Sequence, residues 1–204
     1  MLNLAVLAAL PTGCKTLRLM KNTFLFLTLL LAMASSYAQK DFIDSRIVTT
    51  DNDTLYSKIR VGTNIFDRKL ITESSFYRKV TLVDENHKKT QQIKAKNIRQ
   101  LRFTDLKGEK RVYVNDKSQL QRLMFKGKLT WYRRISVNPM DGTVHYFDYL
   151  TDTDGKTYNM GLLNNKKKNL MEAVSSRPDL VKELEDTKAA DVDVLSILRR
   201  YETE

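Results

Sequence analysis

The sequence predicts an α+β domain: a mostly antiparallel, curved sheet or partly closed β-barrel, followed by two or three short C-terminal helices. Three observations predict it. Apolar and polar residues alternate with period two through residues 40–160, as strands with one buried face require. Asn, Asp and Gly punctuate that stretch at short intervals, and tight turns need residues that tolerate left-handed backbone. Beyond residue 161 the apolar spacing lengthens to that of a helix.

Taken in order, residues 42–48 read as a first strand, and Asp51-Asn52-Asp53 as the turn that ends it. In residues 55–61, Leu55, Ser57, Ile59 and Val61 share one face, and Tyr56, Lys58 and Arg60 the other. Residues 62–78 show neither period cleanly. Residues 80–83, 91–95, 98–103 and 111–114 continue the sheet, divided by a polar turn at 84–89 and by Lys107-Gly108. Residues 120–125 and 129–137 flank Lys126-Gly127. Residues 144–150 and 156–160 flank Asp154-Gly155, a strong hairpin signal.

In the tail, Leu170, Ala173 and Val174 give a first helix its inner side. Ser176-Arg177-Pro178-Asp179 reads as the next helix start, with Ser176 capping and Pro178 in the first turn. Asp191 or Asp193 caps a last helix whose Val194, Leu195, Leu198 and Tyr201 lie to one side. Helices this short do not stand alone in water and should pack on the sheet.

Residues 1–38 read as an export signal removed before the mature chain. Lys21 precedes an apolar run of about ten residues, and Ser36 and Ala38 are the small residues before a cut between Ala38 and Gln39. The run is too short to span a bilayer, which takes about 20 apolar residues. Met20 directly precedes Lys21, so the signal is complete from Met20 and that is the expected start. Cys14, after Pro11-Thr12-Gly13, offers a weak lipidation alternative, because no base precedes it. The expected organisation is one domain over 39–204, β-rich to residue 161 and helical over 162–204.

The only cysteine lies in the leader, so the mature chain has no disulfide, thiol nucleophile or thiolate metal site. Lys15, Arg18 and Lys21 leave with the signal and no acid does, so the charge falls from +11 to +8. Residues 86–104 and 117–140 each hold six bases and no acid. Such segments serve as a polyanion surface or simply as the wet side of half-buried strands.

The two histidines, His87 in a turn and His145 on a strand, have no convergent partners for a triad or a metal site. Asp148, Asp152 and Asp154 before Gly155 lack the ligand spacing of a calcium loop, with Leu150 and Gly161 at two ligand places. No Gly-rich phosphate loop is present. No catalytic residue, metal ligand or cofactor is therefore assigned. Tyr132 and Arg134 share a strand face, and with Arg122, Lys126 and Lys128 they form the candidate ligand or polyanion surface.

Three places carry a resemblance. They are Tyr37-Ala38-Gln39; residues 47–59, with Ser57 where Gly is usual; and residues 123–132 with Pro178-Asp179-Leu180 and the closing residues 197–201. In these the chain resembles a group of exported proteins of Bacteroidetes-type bacteria, some longer members of which continue into an outer-membrane barrel. The resemblance implies a periplasmic or outer-membrane-associated protein and brings no catalytic residue. The expected function is a non-catalytic cell-envelope interaction module, with an envelope or outer-membrane protein as the expected partner and no transmembrane span in the mature chain. The alternatives are a binder of lipopolysaccharide or nucleic acid, and a carboxylate-based hydrolase of envelope substrates.

Overall fold

The computed structural model describes residues 40–64, 66–161 and 163–203. The export signal, Cys14, Ala38 and Gln39 lie outside the described residues.

Among the described residues, eleven strands form one antiparallel sheet. They are β1 (Lys40–Thr49), β2 (Thr54–Thr63), β3 (Ile71–Thr72), β4 (Lys79–Val83), β5 (Lys89–Lys94), β6 (Ile98–Thr104), β7 (Lys110–Asn115), β8 (Leu120–Phe125), β9 (Thr130–Val137), β10 (Val144–Thr151) and β11 (Thr157–Asn159). The order across the sheet is β5-β4-β2-β1-β6-β7-β8-β9-β10-β11, with β3 paired to β2. Three helices follow, α1 (Leu163–Ala173), α2 (Pro178–Asp186) and α3 (Val194–Glu202).

The alternating pattern works as expected. Ile59 and Val61 are fully buried, whereas Tyr56 is 77% exposed. Asn52 takes φ 69° in the β1–β2 turn, and Gly155 takes φ 84° between β10 and β11. Residues 62–78 resolve into β3 and a 3-10 turn, Glu73–Ser75, which packs beside β2. Gly62 makes this possible. Its N–H donates to Ser75 Oγ at 2.8 Å, and a Cβ there would meet Ser75 Cβ at 3.1 Å.

Two apolar clusters sit on the inner face. The first joins Ile47, Ile59, Val61, Val80, Ile98, Leu101 and Tyr113 with Phe76, and no helix contributes to it. Phe76 meets Phe103 and Tyr113 edge-on, at centroid distances of 5.7 and 5.1 Å. The second cluster packs Leu170, Leu180, Leu184, Ile197 and Leu198 of the helices, with Val174 just after α1, on Leu129, Leu150 and Tyr158. Fully burying one such side chain stabilises by about 1.5–3 kcal/mol. This cluster is what holds helices of nine to eleven residues in place.

The mostly antiparallel sheet followed by three helices is as expected, and among the described residues its ladder is open: β5 and β11 each pair on one side only. One expectation is corrected. Ser176 does not cap α2. Arg177 holds the N-cap position without a side-chain cap, Pro178 occupies the first turn, and the Ser176 hydroxyl lies 2.9 Å from that of Tyr201. Asp193 does cap α3, accepting from the amides of Leu195 and Ser196.

Candidate functional site

The strand registers set a row of side chains across the inner face: Ile47, Leu101, Tyr113, Arg122, Arg133 and Asp148 are successive Cα partners. Directly paired residues in a ladder share a face. The row is apolar as far as Tyr113 and charged from Arg122 onward. The 3-10 turn lays Glu73 over this junction.

Glu73 Oε1 accepts from Tyr113 Oη at 2.7 Å and Arg111 Nη1 at 3.1 Å, and lies 3.7 Å from Arg122 Nη1. Glu109 closes a ring, at 3.6 Å from Arg111 and 3.7 Å from Arg122. Arg111 Nε donates to Asp105 Oδ2 at 2.5 Å. Beside the ring, Asp148 takes both Nε and Nη2 of Arg133, at 2.7 and 2.8 Å. Glu73, Asp105 and Arg111 are all buried. A buried charge is tolerable only when paired and hydrogen-bonded. Glu73 Oε2 is the exception, buried without a partner among the described residues.

Burial pushes the Asp105 carboxyl up, but the amides of Glu109 and Lys107 and the Arg111 guanidinium outweigh it and hold it below the usual carboxylate range. Burial, and then the Glu73 carboxylate, push the Tyr113 phenol far up. The hydrogen bonds that Arg133 donates to Asp148 hold its guanidinium firmly charged, against its burial. The carboxylates that burial brings together here are thus already engaged by arginines, an arrangement that locks the turn onto the sheet.

The outer face differs. Tyr56, Arg46, Arg102 and Val112 are successive Cα partners across β2, β1, β6 and β7. They line a groove of about 580 Å³ with Lys58, Lys110 and Asp44. The groove bases Arg46, Lys58, Arg102 and Lys110 make no ion pair with the described residues. A second groove, about 770 Å³, runs between Tyr77, Gln119, Arg134, Phe147 and Tyr149. Among the described residues, the side of β10 away from β9 has no strand partner from Val144 to Phe147, because β11 pairs only with Tyr149, Leu150 and Thr151. Tyr146 and Phe147 on that edge are 52% and 55% exposed.

The candidate surface residues do not come together. Tyr132 lies on the outer face against Tyr149, centroids 5.4 Å apart, and Arg134 is bound to Asp116 at 3.1 Å. Arg122 faces the other way, into the charged ring, because it pairs with Arg133 rather than with Tyr132. Lys126 and Lys128 are exposed at the β8–β9 turn, where the Lys128 amide donates to the Glu202 carboxylate of α3. Sequence reasoning missed Glu73, which lies in a stretch without clear period, and the Arg46–Arg102 pairing, which needs the register between β1 and β6.

Local turn chemistry accounts for the other polar motifs. Asp152 Oδ1 accepts from the amides of Asp154 and Lys156. His87, at φ 60°, stacks on Phe42 with ring centroids 4.0 Å apart. Among the described residues no group of three or more His, Cys, Asp and Glu is placed to hold a metal. No described helix is long and apolar enough to cross a membrane. Compared with family models, curated proteins and solved structures, the chain finds no match.

Proposed function

We propose that this protein is an exported, non-catalytic interaction module of the cell envelope, acting in the periplasm or against the outer membrane. The observation that carries this reading is the division of its charges. The buried ones neutralise one another around Glu73, while unpaired bases and aromatic rings stand on exposed surface. Residues engaged in this way serve structure, and residues left open serve contact.

The free β10 edge supports a protein partner, because unpaired strand edges with apolar side chains invite an added strand. The β5–β6 connection supports a strongly curved, partly closed sheet. Only the 3-10 turn Ala95–Asn97 joins two strands separated in the ladder by β4, β2 and β1. The test is the N-terminus and cell fraction of the natively produced protein. A chain beginning at Gln39 in the periplasmic or outer-membrane fraction supports the reading; an intact Met1 in the cytoplasm overturns it. Turnover of an envelope polymer by the same preparation would remove the non-catalytic part.

The second reading, a polyanion binder, is favoured by the groove around Arg46 and Arg102, where four bases without an ion pair among the described residues face one acid, Asp44. Binding to heparin that weakens steeply with salt is its expected behaviour.

A further inference from the structure

Arg46 of β1 and Arg102 of β6 are direct Cα partners on the outer face. Their strands are about 4.8 Å apart, and like charges directly opposite one another destabilise a sheet. The sheet contains a second opposed arginine pair, Arg122 and Arg133. There the protein interposes Glu73, Glu109 and Asp148. At Arg46 and Arg102 it interposes nothing: both are exposed, and neither has an ion-pair partner among the described residues. Lys79 and Lys94 are opposed too, but on β4 and β5 at the sheet margin. Their flexible ammonium stems part easily in water, whereas Arg46 and Arg102 rise from central strands.

The flanking residues add shape. Tyr56, the Cα partner of Arg46, is 77% exposed, and Val112 is the partner of Arg102. One line across four strands therefore presents a ring, two guanidinium groups and a branched aliphatic, with Lys58 and Lys110 beside them in the groove. Guanidinium forks match phosphate oxygens in pairs, and a tyrosine face stacks on a sugar ring.

We propose that the Arg46–Arg102 groove binds a phosphorylated sugar, with the phosphate between the two guanidinium groups and the sugar against Tyr56. This rests on the reading of the protein as a binding module and names its ligand class. The groove, at about 580 Å³, has the size of a small-ligand site. Beyond it two exposed arginines are held locally, Arg134 by Asp116 and Arg99 by Asn52.

The test is calorimetric titration of the natively produced protein with inorganic phosphate, glucosamine and glucosamine 1-phosphate, alongside Arg46→Gln, Arg102→Gln and Tyr56→Ala. Glucosamine 1-phosphate should bind more tightly than phosphate, and glucosamine not measurably. Either arginine variant should weaken the sugar phosphate about tenfold or more, the scale of one lost charge-assisted hydrogen bond. Tyr56→Ala should weaken the sugar phosphate and leave inorganic phosphate unchanged. Both arginine variants should melt at or above the wild-type temperature, since the opposition is relieved, so loss of binding cannot be loss of fold.

Sedimentation with phosphatidylcholine vesicles carrying a phosphorylated glucosamine lipid separates the sources. Capture of the vesicles points to a headgroup, and binding of the free sugar phosphate alone points to a soluble ligand; either supports the groove. Equal affinity in wild type and both arginine variants overturns it, as does tighter binding of a single-stranded oligonucleotide. A protein that binds none of these probes, yet fractionates with the envelope and cross-links to an envelope protein, defeats the groove and leaves the interaction module standing.

Discussion

Tyr113 Oη donates to Glu73 Oε1 at 2.7 Å, joining a 3-10 turn to the middle of the sheet across 40 residues of sequence. The same oxygen accepts from Arg111, so one carboxylate neutralises a guanidinium and satisfies a phenol where water is excluded. Glu73→Ala should destabilise the protein by about 1–3 kcal/mol, because it leaves the buried Tyr113 hydroxyl and Arg111 Nη1 without their acceptor while Asp105 still balances the Arg111 charge. Urea denaturation measures this. A double-mutant cycle with Arg111→Met should show strong non-additivity, since the pair costs less to lose together than singly.

Gly62 should prove as important as Glu73, though it carries no charge. A methyl group there crowds Ser75 and shifts the turn that aims the carboxylate. Gly62→Ala is expected to cost about 1–3 kcal/mol, the usual range for overpacking. In a Glu73→Ala background the cost should shrink, as the turn no longer has a carboxylate to position.

Asp105 sets the acid limb of stability. Its folded pKa lies below the ordinary 3.8. A group depressed in this way contributes stability that is complete above its unfolded value and is lost as pH falls through its folded value. The difference in stability between wild type and Asp105→Asn should therefore be constant from about pH 5 upward and shrink below about pH 4. Chemical denaturation across that range checks it, and a difference that stays constant to pH 2 would count against the assignment.

Asp193 caps a helix with two side-chain hydrogen bonds, to Leu195 and Ser196. Asp193→Ala should cost about 0.5–2 kcal/mol, whereas Ser176→Ala, at a position that does not cap, should cost less. Thermal melts of the two variants decide between the two helix starts.

Strands and turns were legible from residue order because their causes are local. Alternation of side chains follows from the pleat, and Asn52, Gly142 and Gly155 adopt positive φ for reasons within their own turns. The last helix announced itself by Val194, Leu198 and Tyr201, whose spacing puts them on one side and which pack in the second cluster; Ile197 joins them there in place of the expected Leu195. The site was not legible in this way. Arg122 and Arg134 look alike in sequence, yet one is drawn into a buried ring and the other stays at the surface.

By itself, the sequence determined where most segments extend and turn and which apolar residues they bury, since those follow from period and local backbone chemistry. Only the tertiary structure decided which charges meet. The register between β1 and β6 opposes Arg46 to Arg102, and a turn without clear period brings Glu73 to partners 38 and 40 residues away. Coulombic and hydrogen-bond energies depend on distances between strands, and those distances exist only once the sheet has formed.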